Sequence, residues 1–176
     1  MAEPTPTELE LEELKEYLEA LRGHGDASKV QAWLDAGKPV EQRFPTPKLN
    51  CWNETALIMA SMWGTTEIVK TLMKAGADIE ALDYSDHTPL MKAAMNGHLD
   101  ICKLLVEAGA NVKYESNVNR RTALDHAKIQ GKKDCIEFLD PLTPADIGEP
   151  AYYAQRAKER EAMRAEAEAK AKAAAA

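Results

Sequence analysis

One block of sequence returns along this chain at an interval of 33 or 34 residues, and that interval limits the fold more than any other feature. Thr55–Gly76 reads TALIMASMWGTTEIVKTLMKAG, Asp86–Asn111 reads DHTPLMKAAMNGHLDICKLLVEAGAN, and Thr122–Leu139 reads TALDHAKIQGKKDCIEFL. Each copy starts Thr-x-Leu, places a glycine (Gly64, Gly97, Gly131) in mid-unit, and has a leucine eight residues beyond it. In the central copy Thr88 is a helix N-cap, and Pro89 takes the first helical position, where its missing N–H costs nothing. Leu90, Ala93 and Ala94 give a short helix one small face, and Asn96-Gly97 supplies the left-handed turn that ends it. Leu99, Ile101, Cys102, Leu104, Leu105 and Val106 then recur at helical spacing until Ala108-Gly109. Two helices of about ten residues cannot bury their apolar faces against each other alone, so each unit must stack on its copies.

This pattern resembles the ankyrin repeat family, whose unit runs as a hairpin turn, TPLH-x-A-A, a Gly-His, a Leu-rich helix and Gly-Ala-Asp. Asp86–Asn111 matches almost throughout, and roughly three quarters of the chain, from about Leu9 to Leu139, falls under the resemblance. It implies an all-α fold, an ankyrin-repeat solenoid of stacked helix-turn-helix units with short hairpin turns. The chain departs from the family at one position in every unit, where Ile58, Met91 and Asp125 replace the His of TPLH. The hydrogen bonds that this His contributes between turns are therefore not expected to carry over, although the fold is.

Read in order, residues 1–139 form the repeat domain: an N-terminal cap repeat at 7–40, full repeats at 51–82 and 84–115, and a C-terminal repeat at 118–139. Thr5-Pro6-Thr7-Glu8 is a capping box that predicts a helix with Leu11, Leu14, Tyr17, Leu18 and Leu21 along one face. Its seven glutamates, Glu3 to Glu19, give the charged outer face that an end cap needs. GDASKVQAWLDAGKPVE aligns with GTTEIVKTLMKAGADIE, which assigns Val30, Trp33 and Leu34 to core slots. The connection from Gly37 to Thr55 is six residues longer than that from Gly76 to Thr88. The excess, Val40–Lys48, contains Pro45 and Pro47, and reads as an extended surface insertion with Phe44 as a contact or gap-filling residue. Residues 140–150 are a proline-rich linker. Residues 151–176 hold 12 alanines, six basic and four acidic side chains, with Glu166/Lys170 and Glu168/Lys172 in the favourable order, and are expected to form an extended helix with almost no apolar face.

Composition removes several functions. The apolar fraction of 45 % supports a continuous core, and a net charge of −7 without a basic stripe argues against nucleic acid. Cys51, Cys102 and Cys135 have no close spacing, so neither a disulfide framework nor a zinc site is expected and a reducing compartment fits best. No apolar run approaches the length of a membrane span. No Ser/His/Asp order, paired carboxylates, HExxH or glycine-rich phosphate loop can be assembled. No catalytic residue, metal or cofactor is therefore expected. His98 reads as the structural Gly-His of the repeat, and Cys102 and Cys135 as buried small hydrophobes.

In the ankyrin family the binding surface is the concave side, formed by the tips of the hairpin turns and the exposed face of each first helix. By register the turn positions are Cys51, Trp52 and Glu54; Tyr84, Ser85 and His87; and Val118, Asn119 and Arg121. The helix positions are Met62-Trp63, Met95-Asn96 and Ile129-Gln130. The expected partner-binding set is Trp52, Glu54, Met62, Trp63, Tyr84, Ser85, His87, Met95, Arg121 and Ile129, because large apolar groups at exposed positions mark a docking site. Two structural alternatives stand beside it: Trp63 covering the cap helix, and Trp52 packing on the long loop with Phe44. The resulting expectation is a non-catalytic protein–protein interaction module, an adaptor or peripheral subunit of a multi-subunit assembly. The alternatives are an enzyme or metal-binding protein using the repeats as scaffold, and RNA contact through the tail. The expected partner is protein, with no small-molecule substrate, in the cytoplasm or else the nucleus or an organelle-associated assembly.

Overall fold

The computed structural model describes residues 8–22, 25–44 and 54–143, and these form helix pairs laid side by side. The pairs are α1 (Glu8–Leu21) with α2 (Ala27–Asp35), α3 (Ala56–Trp63) with α4 (Thr66–Lys74), α5 (Pro89–Asn96) with α6 (Leu99–Glu107), and α7 (Ala123–Ile129) with α8 (Lys133–Leu139). First helices α1, α3, α5 and α7 form one row and second helices α2, α4, α6 and α8 another. This is the all-α repeat solenoid that the spacing predicts. Ala60, Ala93, Ala94 and Ala127 are fully buried, and these small residues let the first helices pack more closely than the second ones. The first-helix row is thus the hollow side of the stack.

Thr55, Thr88 and Thr122 cap α3, α5 and α7 in the same way, their hydroxyls accepting from the N–H of Ile58, Met91 and Asp125 at 3.3, 3.2 and 3.2 Å. Gly64 and Gly97 end α3 and α5 with φ of 81° and 85°, a conformation that costs a residue with a Cβ. Their missing side chains also make room. A Cβ at Gly64 would lie 2.5 Å from the His98 ring, and one at Gly97 would lie 2.9 Å from Lys132 Cδ. The residue that follows each mid-unit glycine therefore lies over the glycine of the repeat before it. His98 adds a hydrogen bond from Nε2 to the Met62 carbonyl at 3.1 Å, the structural role expected of it.

Where the family has His, Ile58 and Met91 are fully buried apolar residues, and the Asp125 carboxylate accepts from the Thr122 N–H at 2.8 Å, completing a capping box. Other groups tie turn to turn. Glu41 accepts from the Asp78 N–H at 2.8 Å, and Glu80, at the same place one unit on, accepts from the Asn111 N–H at 2.7 Å. Asp86 accepts from the Asn117 N–H at 2.6 Å, Ser116 Oγ donates to the Ser85 carbonyl at 3.0 Å, and Arg43 donates to the Leu82 carbonyl at 3.0 Å. In the turn between α6 and α7, Lys113 and Arg120 stand where Glu80 and Asp86 stand in the turn between α4 and α5.

At the N-terminal end Leu14, Tyr17, Leu18 and Leu21 bury one face of α1. Tyr17 stacks on Trp33 with ring centroids 4.3 Å apart. Val30 is fully buried, whereas Trp33 and Leu34 are half-buried against the core. The long connection is closed by two antiparallel residue pairs, Arg43 with Thr55 and Phe44 with Glu54, between β1 (Arg43–Phe44) and β2 (Glu54–Thr55). At the other end Asp140–Leu142 form a 3-10 turn, Pro141 at its start, where the sequence suggests that a linker has begun. Lys128 reaches Asp140 at 3.0 Å. Cys51, Trp52, Pro45, Pro47, the capping residues Thr5 to Thr7, the rest of the linker and the alanine-rich tail lie outside the described residues. Within the described residues no helix is long and apolar enough to cross a membrane.

Candidate functional site

The hairpin turns carry the expected docking residues, and a buried charged cluster fixes their shape. In the turn between α4 and α5, Asp83 Oδ1 accepts from the N–H of Ser85 at 2.8 Å and of His87 at 2.9 Å, and Asp86 takes the left-handed conformation (φ 61°) that lets the chain reverse. Asp83 Oδ2 meets Lys92 Nζ at 2.7 Å and lies 3.6 Å from His87 Nδ1. Lys92, on α5, also reaches Glu54 Oε1 at 3.5 Å, so one ammonium joins the turns of two repeats. Burial acts to raise the Asp83 carboxyl, but its contacts with His87 and Lys92 outweigh that and hold it well below the usual carboxylate range. Asn119 Nδ2 lies 3.4 Å from His87 Nε2 and links the next turn to the cluster.

His126 closes the cluster from α7, its ring edge-on to His87 at 4.9 Å. It is 4 % exposed, and its Nε2 has no hydrogen-bond partner. Burial, then the neighbouring His87 and the Arg121 charge, pull the His126 imidazole down to about 4. The ionisable groups here are tied to one another and hold the backbone. Among the described residues no three His, Cys, Asp or Glu side chains converge on a point where a metal could sit.

Above the cluster the turn tips face solvent. Tyr84 is 65 % exposed and Val118, its counterpart one repeat on, 69 %. Ser85 and Arg121 are exposed beside them, and on the first-helix row Ile129 is 56 % exposed. Glu54 and His87, expected at the surface, are buried: Glu54 pairs with Lys92 and His87 packs between Asp83 and His126, so both serve the turns from within. Met62, Trp63 and Met95 are half-buried, not open. Trp63 packs on the core with the Arg22 guanidinium 5.3 Å from its ring centroid, which matches the cap-covering alternative for this residue. Trp52 lies outside the described residues. Asp83, Lys92 and His126 were absent from the sequence-based set. One signal was available for Lys92, a lone cation between Met91 and Ala93 on a helix whose other early residues are apolar.

The model for ankyrin repeats in three copies matches residues 18–115 and 83–151, and the chain belongs to the ankyrin repeat family. Members of that family are generally protein–protein interaction modules and typically non-catalytic. Comparison with curated proteins finds no match.

Proposed function

We propose that this chain is a non-catalytic adaptor or peripheral subunit that captures a protein on its hollow side, through the turn tips and the first-helix row. The observation that carries the reading is the exposure of Tyr84 and Val118 on adjacent turns tied to each other by two hydrogen bonds between side chain and backbone. Large apolar groups held on a rigid surface lose area from water on binding with little conformational entropy to surrender. Ile129, Met95, Met62, Ser85 and Arg121 extend the face, and Trp63 and Trp52 are further contacts for the partner. Glu54 and His87 shape it from beneath. The tail at 151–176 is a second contact, so that two weak sites on one chain raise avidity. A cytoplasmic or similarly reducing setting suits the free thiols of Cys102 and Cys135.

Co-purification from cells with the Tyr84→Ser/Val118→Ser variant tests the face. The partner is lost while the thermal midpoint stays within about 2 °C, since both residues are exposed. Retention of the partner at wild-type yield would move the site elsewhere. Deletion of 151–176 tests the second contact, and recovery of every partner without the tail overturns it.

A further inference from the structure

We infer that the strip formed by Tyr84, Val118 and Arg121 takes an extended protein segment in which carboxylates alternate with apolar side chains. The inference rests on the docking reading above and specifies the chemistry of the partner.

Three observations lead to it. The two turns are closed internally, by Asp83 N–H to the His87 carbonyl at 3.2 Å and Ser116 N–H to the Arg121 carbonyl at 3.0 Å. They are joined to each other by the Ser116–Ser85 and Asn117–Asp86 bonds. Tyr84 and Val118 therefore stand at fixed positions, and a ligand need not order them.

Charge is distributed unevenly. Residues 113–133 contain six basic side chains, Lys113, Arg120, Arg121, Lys128, Lys132 and Lys133, against Glu115 and Asp125, in a chain whose net charge is −7. Asp125 is occupied by both the N–H and the hydroxyl of Thr122, each at 2.8 Å. Beneath Tyr84 the acids Asp83 and Glu54 are buried and already share Lys92. The exposed charged residues of the turn that presents Val118 are thus Arg120, which meets Glu115 at 3.9 Å, and Arg121.

Arg121 completes the strip. It ends the same turn that presents Val118, is exposed, and forms no ion pair among the described residues, whereas Lys128 is engaged by Asp140. A planar guanidinium beside an apolar platform suits a carboxylate flanked by Leu or Phe. A phosphate backbone would need several such cations in line, and the two groups beside this one are apolar.

The test uses the full chain and three labelled probes in fluorescence anisotropy: a short peptide alternating Asp or Glu with Leu or Phe, its counterpart with Lys at every acidic position, and a single-stranded RNA. The acidic peptide should bind about tenfold more tightly than the basic one, with the gap narrowing in high salt. Arg121→Glu should weaken the acidic peptide about tenfold and reverse the preference, and Tyr84→Ser/Val118→Ser should weaken both peptides, with far-UV circular dichroism unchanged. Equal binding of the two peptides, indifference to Arg121→Glu, or RNA binding more tightly than the acidic peptide overturns the inference. If that happens while Tyr84→Ser/Val118→Ser still releases the co-purified partner, only the acidic preference falls; if the partner is also retained, the docking face falls with it.

Discussion

Lys92 Nζ lies 2.7 Å from Asp83 Oδ2 with the two side chains 13 % and 3 % exposed, and the same ammonium reaches Glu54 in the preceding repeat. Removing the cation strands two buried carboxylates. Lys92→Met should therefore cost about 3 kcal/mol in urea denaturation followed by circular dichroism. Asp83→Asn added to Lys92→Met should recover part of that loss, because an amide oxygen still accepts from Ser85 and His87 without carrying charge. A cost under about 1 kcal/mol for Lys92→Met would mean that the cluster contributes little.

His126 gives stability a pH dependence of defined sign. The unfolded chain takes up the imidazole proton near pH 6.5, whereas the folded chain holds it at about 4. The contribution is thus full above about pH 7 and is lost as pH falls from about 6.5 toward 4, amounting to roughly 2 kcal/mol by pH 5. Urea midpoints measured at pH 7 and pH 5 should converge in His126→Leu relative to the parent. Asp83 acts in a lower window. Its folded carboxyl is depressed, so its contribution persists down to about pH 4 and is lost only below it.

Gly64 is constrained twice, by its φ of 81° and by the His98 ring above it. Gly64→Ala should cost about 2 kcal/mol or more. His98→Ala alone should cost about 1 kcal/mol through the lost bond to the Met62 carbonyl. In a double-mutant cycle the two losses should sum to more than the double variant shows, because removing the ring relieves the clash. Strict additivity would indicate that only the backbone conformation matters.

Cys102 on α6 and Cys135 on α8 lie one register position apart, five residues after Gly97 and four after Gly131, and both are fully buried. Burial and the adjoining Cys135 thiol push the Cys102 thiol up, and burial raises Cys135 too. Both should be inert to a thiol reagent in the native state. In a Cys51→Ser background a colorimetric thiol titration should read none before denaturant and two after it. Rapid native labelling would show that α6 and α8 separate readily.

The repeat spacing was legible because the threonine caps, the mid-unit glycines and the leucines in the second helices each solve a local problem that recurs in every unit. Burial at the turns was harder to read. His87 is two residues from the exposed Ser85 in sequence, but its side chain turns inward because Asp83 binds its N–H. Glu54 is drawn inside by Lys92, a partner from another repeat. Such long-range pairings leave no periodic trace. Trp63 was ambiguous for a related reason, since Arg22, which covers its ring, comes from the end of the cap helix α1.

Lys113 and Arg120 make the turn between α6 and α7 a poor seat for a further unit. A unit joined behind α7 and α8 would find Lys113, and Arg120 paired with Glu115 at 3.9 Å, at the places where Glu80 and Asp86 accept from the backbone amides of the next turn. Lengthening by simple duplication would therefore yield a poorly seated module until both residues reverted to carboxylates.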